Sequence, residues 1–175
     1  MSPESARAVC ARLRAIGDPL FALLDAARDP KVLAAIQDSD QPYQSLYEGA
    51  EADDLAAYGP YLVGLDDGDT MLRRLVEEGW GRSWGVYLAS SADFDTIRQH
   101  LRRYLKVEIP GGTTALFRFY DPRVLREFLE CWTPNERESF LGPVACCIIE
   151  DAEGSVIPQE YRHAMIDNDQ PARSR

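Results

Sequence analysis

Strands and helices alternate along this chain, with one hairpin late in the sequence, and this order predicts a single α/β domain with a central mixed sheet flanked by helices. Three observations carry the prediction. Short runs at 20–24, 61–65 and 144–149 are strand-sized and apolar throughout, as expected of strands covered on both faces. Between such runs lie segments with apolar residues at helical spacing, several of them opened by a capping residue. No internal repeat or linker divides the 175 residues, and a hydrophobic fraction of 45% suits an ordinary globular domain.

Ser2-Pro3 opens a helix whose Ala6, Val9, Cys10, Leu13 and Ile16 share one face, and Gly17 closes it. Residues 20–24 form a buried strand, and Asp29-Pro30 starts a helix with Val32, Leu33 and Ile36 inward. Residues 43–47 read as a short strand, 51–58 as a weaker helix and 61–65 as a strand. Asp69 caps a helix over 70–78, with Met71, Leu72, Leu75 and Val76 at helical spacing and Gly79 suited to a left-handed C-terminal cap. After a strand at 84–89, Ser90 or Ser91 caps a helix on which Phe94, Ile97, Leu101 and Tyr104 recur. Arg102, Arg103 and Lys106 close it favourably for the helix dipole. Pro110-Gly-Gly112 turns a hairpin between 106–109 and 114–120. Asp121-Pro122 caps 123–131, and Thr133-Pro-Asn-Glu136 is a capping box for a helix ending near Gly142. Residues 144–149 supply the last core strand. The pattern weakens from Asp151, and 167–175 is polar and aperiodic, so the organisation reads as a domain over 1–150 and a short, partly mobile tail over 151–175. Leu23, Leu62, Val86, Phe117 and Ile148 are the predicted core.

Composition narrows the function. A net charge of −10 disfavours nucleic acid and anionic membranes, because repulsion acts before any contact forms, so the expected partners are proteins. No apolar run reaches the length of a membrane span, and the N-terminal helix carries Glu4, Arg7, Arg12 and Arg14 where a signal peptide would be apolar. Cys10, Cys131, Cys146 and Cys147 show neither C-x-x-C spacing nor a Cys/His ligand set, so no zinc site is expected and a reducing, cytoplasmic setting fits. Cys146 and Cys147 are adjacent on a strand and point to opposite faces. No strand-to-helix turn carries a glycine-rich nucleotide motif, and no cofactor is expected.

Gly81-Arg-Ser-Trp-Gly85 fits the G-x-S-x-G pattern of a hydrolase nucleophile elbow. Such an elbow leaves a strand and enters a helix, whereas Ser83 leaves a helix and enters a strand, and only His100 and His163 are available as bases. The expectation is therefore no catalytic site, with Ser83 out of hydrogen-bond reach of either histidine. Asp66-Asp-Gly-Asp69 lacks calcium-loop spacing and reads as a solvated turn, as do Glu51, Asp53 and Asp54. His100 reads as half-buried and bonded to backbone. Arg98 and Arg102, one turn apart, read first as a solvated outer helix face, with a cationic ridge for an acidic partner as the second reading. Trp80, Trp84 and Trp132 read as core anchors. Arg118 alternates with Phe117 and Phe119 and needs a carboxylate, either Asp25 or Asp121; breaking such a pair, if buried, costs about 3–5 kcal/mol.

An ordered set of segments adds a resemblance. Leu20-Phe-Ala-Leu-Leu-Asp25, Ser45-Leu-Tyr-Glu-Gly49, Gly59-Pro-Tyr-Leu-Val63, Gly79-Trp-Gly-Arg-Ser-Trp-Gly85, His100-Leu-Arg-Arg103, Phe117-Arg-Phe-Tyr-Asp-Pro-Arg-Val-Leu125 and Phe140-Leu-Gly-Pro143 together resemble the domain shared by type VI secretion effector adaptors, over residues 20–143. The resemblance implies a cytoplasmic, non-enzymatic bacterial chaperone that binds a toxic effector and helps load it onto the valine-glycine-repeat spike protein. It marks Asp25, Trp80, Gly81, Trp84, Arg118, Asp121, Pro122, Gly142 and Pro143 as structural; Arg98 and Arg102 are partner-binding candidates from their spacing alone. Many members continue into a second, variable lobe; this chain ends about thirty residues after Pro143, so the shared domain or a partner chain is expected to grip the cargo. The alternative is an acidic immunity-type protein that covers and inhibits a basic toxin.

Overall fold

The computed structural model describes residues 2–65, 68, 70–109, 111–150 and 159–163. Helix α1 (Pro3–Arg14) is capped by Ser2, whose hydroxyl accepts the Ser5 N–H, and Asp29 likewise caps α2 (Pro30–Gln37). Both carry proline in the first turn, where its missing N–H removes nothing. Strand β1 (Leu20–Asp25) runs between them, and β2 (Tyr43–Ser45), α3 (Ala50–Asp54) and β3 (Pro60–Leu65) follow. Helix α4 (Thr70–Gly79) leads to β4 (Gly85–Ala89) and α5 (Phe94–Arg102). The hairpin β5 (Lys106–Ile109) and β6 (Thr113–Leu116) precedes α6 (Pro122–Cys131), α7 (Pro134–Leu141), β7 (Cys146–Ile149) and β8 (Gln159–Arg162). Thr133 and Glu136 form the expected capping box of α7.

The main sheet has the order β2-β3-β1-β4-β7-β8, and the α/β single-domain reading with a helix-flanked sheet is met. Every ladder in it is antiparallel, where a mixed sheet was expected. The cause is insertion. Strands joined through α2 and through α4 do run parallel, but another strand separates each pair: β3 lies between β1 and β2, and β1 lies between β3 and β4, whereas β2 and β3, joined through the short α3, are adjacent and antiparallel. This is a split β-α-β-β-α-β arrangement, extended at one edge by β7 and β8.

Period-two alternation divides the core into two layers. Leu20, Ala22 and Leu24 of β1 face α1, α2 and α4 with Tyr87, Ala89, Cys146 and Ile148. Phe21 and Leu23 face α5, α6 and α7 with Val86, Leu88, Cys147 and Ile149. The adjacent cysteines thus do point to opposite faces, and burial pushes the Cys146 thiol up to about 11. All five predicted core residues are buried. Trp80 and Trp84 anchor the first layer, and Trp132 packs on the second with Phe117, Phe128 and Phe140.

Several local expectations change. Residues 117–120 are not strand: β6 ends at Leu116, and Phe117, Phe119 and Tyr120 are all buried in one aromatic layer, which a period of two cannot provide. Helix α5 is capped by Asp93, not by Ser90 or Ser91; the Ser90 hydroxyl instead donates to the Pro143 carbonyl at 2.6 Å. Helix α3 stops at Asp54, short of the expected 58. Strand β8 forms inside the span read as a tail. The expected Asp69 cap, the Asp66 and Asp67 turn, Pro110 of the hairpin and the polar end at 167–175 lie outside the described residues.

Candidate functional site

The loop between α4 and β4 is built around a carboxylate. Gly79 packs so closely on the Trp84 indole that a Cβ would come within 2.7 Å of it, so glycine is required at this crossing. Gly81 and Ser83 both take left-handed backbone, with φ of 80° and 59°. Alternating left-handed residues turn successive N–H groups into one concavity, which attracts an anion. Here the chain supplies the anion itself: Glu150, one residue past β7, accepts the Gly81 N–H, the Ser83 N–H at 2.9 Å and the Ser83 hydroxyl at 3.3 Å. Burial raises the Glu150 carboxyl above its usual range, against the lowering effect of these hydrogen bonds. Ser83 therefore lies between a helix end and a strand start, as expected, and its hydroxyl is held by a carboxylate. Glu150 was not anticipated; its only signal is that it is the first acid after an apolar strand.

His100 faces the opposite layer. Its Nε2–H donates to the Phe140 carbonyl at 2.6 Å and its Nδ1 accepts from Arg103, a pair of bonds that defines the neutral tautomer. Burial lowers its pKa, consistent with that form. Gly142, with φ of 53°, lies against the imidazole so tightly that a Cβ would overlap the ring. The His100 and Phe140-Leu-Gly-Pro143 segments are thus two halves of one contact, and the Ser90 bond to Pro143 closes it.

Asp25 continues the β1 alternation onto the aromatic face, where it pairs with Arg118. The Asp25 side chain is 1% exposed and that of Arg118 44%, so the pair is buried on one side only. Asp25 also accepts the Ala27 N–H, and Arg118 lies over the Tyr120 ring at 5.8 Å. The Asp25 hydrogen bond raises the Arg118 pKa. Asp121 caps α6 at Pro122 through the Arg123 N–H and pairs with the Arg123 side chain, not with Arg118. Burial pushes the Asp121 carboxyl up, but the Arg123 contacts outweigh it and hold it below the ordinary value.

Arg98 is not on an outer face. It is buried, donating to the Ser45 carbonyl at 2.8 Å, the Tyr47 carbonyl at 3.4 Å and Glu48 at 3.0 Å. Arg102 donates to the Leu46 carbonyl at 2.9 Å and shares Glu48. The amphipathic arginine stem buries readily, and the fork collects carbonyls that β2 leaves unpaired as it ends. Sequence spacing put these two residues on one ridge correctly, but the loop that covers the ridge has no periodic signal.

The β5–β6 ribbon is a separate two-stranded sheet on which Val107, Ile109 and Leu116 are exposed by 36%, 42% and 48%. Among the described residues no His, Cys, Asp or Glu cluster has metal-ligand character, and no helix is long and apolar enough to cross a membrane. The sheet is clamped between two helical layers, and its motif residues join segments distant in sequence. Residues 20–139 match the family described as Domain of unknown function (DUF4123), and the chain belongs to that family. No curated protein and no solved structure matches it.

Proposed function

We infer that this chain is a non-enzymatic adaptor that binds a type VI secretion effector in the cytoplasm and promotes its loading onto the valine-glycine-repeat spike protein. The observation that carries this reading is the ordered set of motifs over 20–143, nearly the span of the family match. Their contacts support it: Asp25 with Arg118, Ser45 to Glu48 with Arg98 and Arg102, and His100 with Phe140 to Gly142 each join two of the motifs into one frame. A frame of this kind suits protein binding, because no reacting group has to be exposed. The test is purification of the tagged chain co-expressed with a candidate effector and a valine-glycine-repeat spike protein from the same genome. An adaptor retains both; capture of the toxin alone, with loss of toxic activity, favours the immunity reading, which the net charge of −10 also suits. A fluorophosphonate probe should leave Ser83 unlabelled, and labelling there would reopen hydrolase chemistry.

A further inference from the structure

The turn from α4 into β4 is built at a cost and holds one side chain outward. Gly81 and Ser83 both take left-handed backbone, and Ser83 is the one non-glycine residue to do so among the described residues. Such backbone is strained for a residue with a Cβ, and strain of this kind concentrates at functional sites. The turn is pinned by the buried Glu150 carboxylate, which gives up solvent to accept the Gly81 and Ser83 N–H groups. Between the two pinned residues stands Arg82, which is exposed.

Arg28 is held beside it. Its Nε–H donates to the Arg82 carbonyl at 3.0 Å and its backbone N–H to the Asp25 carbonyl at 3.0 Å, so the turns after β1 and before β4 are clipped together at one end of the sheet. The exposed arginines at this end are in two different states. Arg118 and Arg123 are neutralised from beneath by Asp25 and Asp121, whose side chains are 1% and 2% exposed. Arg28 and Arg82 are exposed as well, yet among the described residues neither has a carboxylate within ion-pair distance. Asp29, next to Arg28 in sequence, accepts the Lys31 N–H as the α2 cap, and Glu150 is committed to the turn. Two neighbouring guanidiniums without a counter-charge repel each other, and an anion shared between them removes that repulsion.

We propose that Arg28 and Arg82 together receive a short carboxylate-rich segment of a partner protein. Each guanidinium fork matches a carboxylate in two parallel hydrogen bonds, and Arg82 offers its fork from a turn that is already fixed, so little backbone order is lost on contact. A short acidic segment meets this end of the sheet alone. A nucleic acid or an anionic membrane extends past it and meets the acids that give the chain its net charge of −10. A second copy brings that same net charge and fits less well. The site stands on the turn and its charge; only the assignment of the segment to effector or spike rests on the adaptor reading.

The experiment titrates the full chain with two short Gly-Ser peptides, one carrying a run of Glu and one a run of Gln, and with inorganic phosphate, followed by NMR of backbone amides and arginine Nε–H groups. The Glu peptide should shift the Arg28 and Arg82 Nε–H signals and the Gly81–Ser83 amides. Its affinity should fall about tenfold in a folded Arg28→Gln/Arg82→Gln variant, as expected for the loss of two exposed charge pairs. Arg7→Gln/Arg73→Gln removes the same charge from α1 and α4 and should leave the affinity unchanged. Single Arg82→Gln keeps the carbonyl that holds Arg28 and should show part of the loss. Absence of binding, equal binding of the Gln peptide, equal loss in both double variants, or phosphate binding as tightly as the Glu peptide would overturn the proposal. Concentration-dependent shifts of the same groups without peptide would also overturn it, in favour of a second copy. Co-purification separates the two readings: if Arg28→Gln/Arg82→Gln retains effector and spike as the unmodified chain does, the arginine site fails and the adaptor role stands. If the unmodified chain retains neither, the adaptor role fails and the peptides alone decide the site.

Discussion

At the scale of single residues, buried carboxylates organise this protein, and they respond oppositely to pH. Asp121 is held below its ordinary pKa, so its stabilising contribution is complete above about 3.8 and is lost as pH falls through the folded value. Glu150 is raised above 4.5, so its contribution is complete below that value and declines as pH rises through the folded one. Urea denaturation should accordingly show the advantage of the unmodified chain over Glu150→Gln shrinking between pH 4.5 and 8; a constant or growing gap would contradict the assignment. Arg118→Ala strands the buried Asp25 carboxylate. Because Arg118 is itself half in solvent and Asp25 keeps the Ala27 N–H, the expected loss is about 1–3 kcal/mol, below that of a fully buried pair. Effector capture should weaken only through that loss. An Arg118→Ala variant with unchanged melting temperature but no capture would make Arg118 a recognition residue. The Asp25 partnership was legible in the sequence because an arginine among phenylalanines demands a carboxylate. The burial of Arg98 was not legible, because nothing in helical spacing announces a loop folded over it.

At the scale of elements, close crossings replace side-chain packing at a few glycines. Gly85 of β4 lies so near β1 that a Cβ would overlap the Leu23 carbonyl oxygen, which is backbone and cannot rotate away. Gly85→Ala should cost several kcal/mol, on the order of 3 or more, and lower thermal stability sharply; a melting temperature within a degree or two would refute the packing. Helix starts were the most readable elements, since Ser2, Asp29, Asp121 and Thr133 cap as their local chemistry requires. Strand pairing was less readable. Residue patterns report which faces are buried but not which strand is inserted between two others, so the wholly antiparallel order escaped them. Strand β8, Gln-Glu-Tyr-Arg, is polar and half-exposed, and it carries no alternation from which a strand could be inferred.

At the scale of the whole molecule, two helical layers enclose the sheet, and the Asp25–Arg118 and Arg102–Leu46 contacts that tie distant segments together lie within the family match over 20–139. The motifs were legible as a set because their residues are constrained by one another across the frame, whereas an exposed surface residue carries no such mutual constraint. The adaptor role is tested most directly by mixing purified effector and spike with and without this chain and measuring the effector bound to spike. Effector–spike association that depends on the chain, with all three in one complex, is the predicted result. Association that is equally strong without it, or that the chain blocks while silencing the toxin, would contradict the adaptor role.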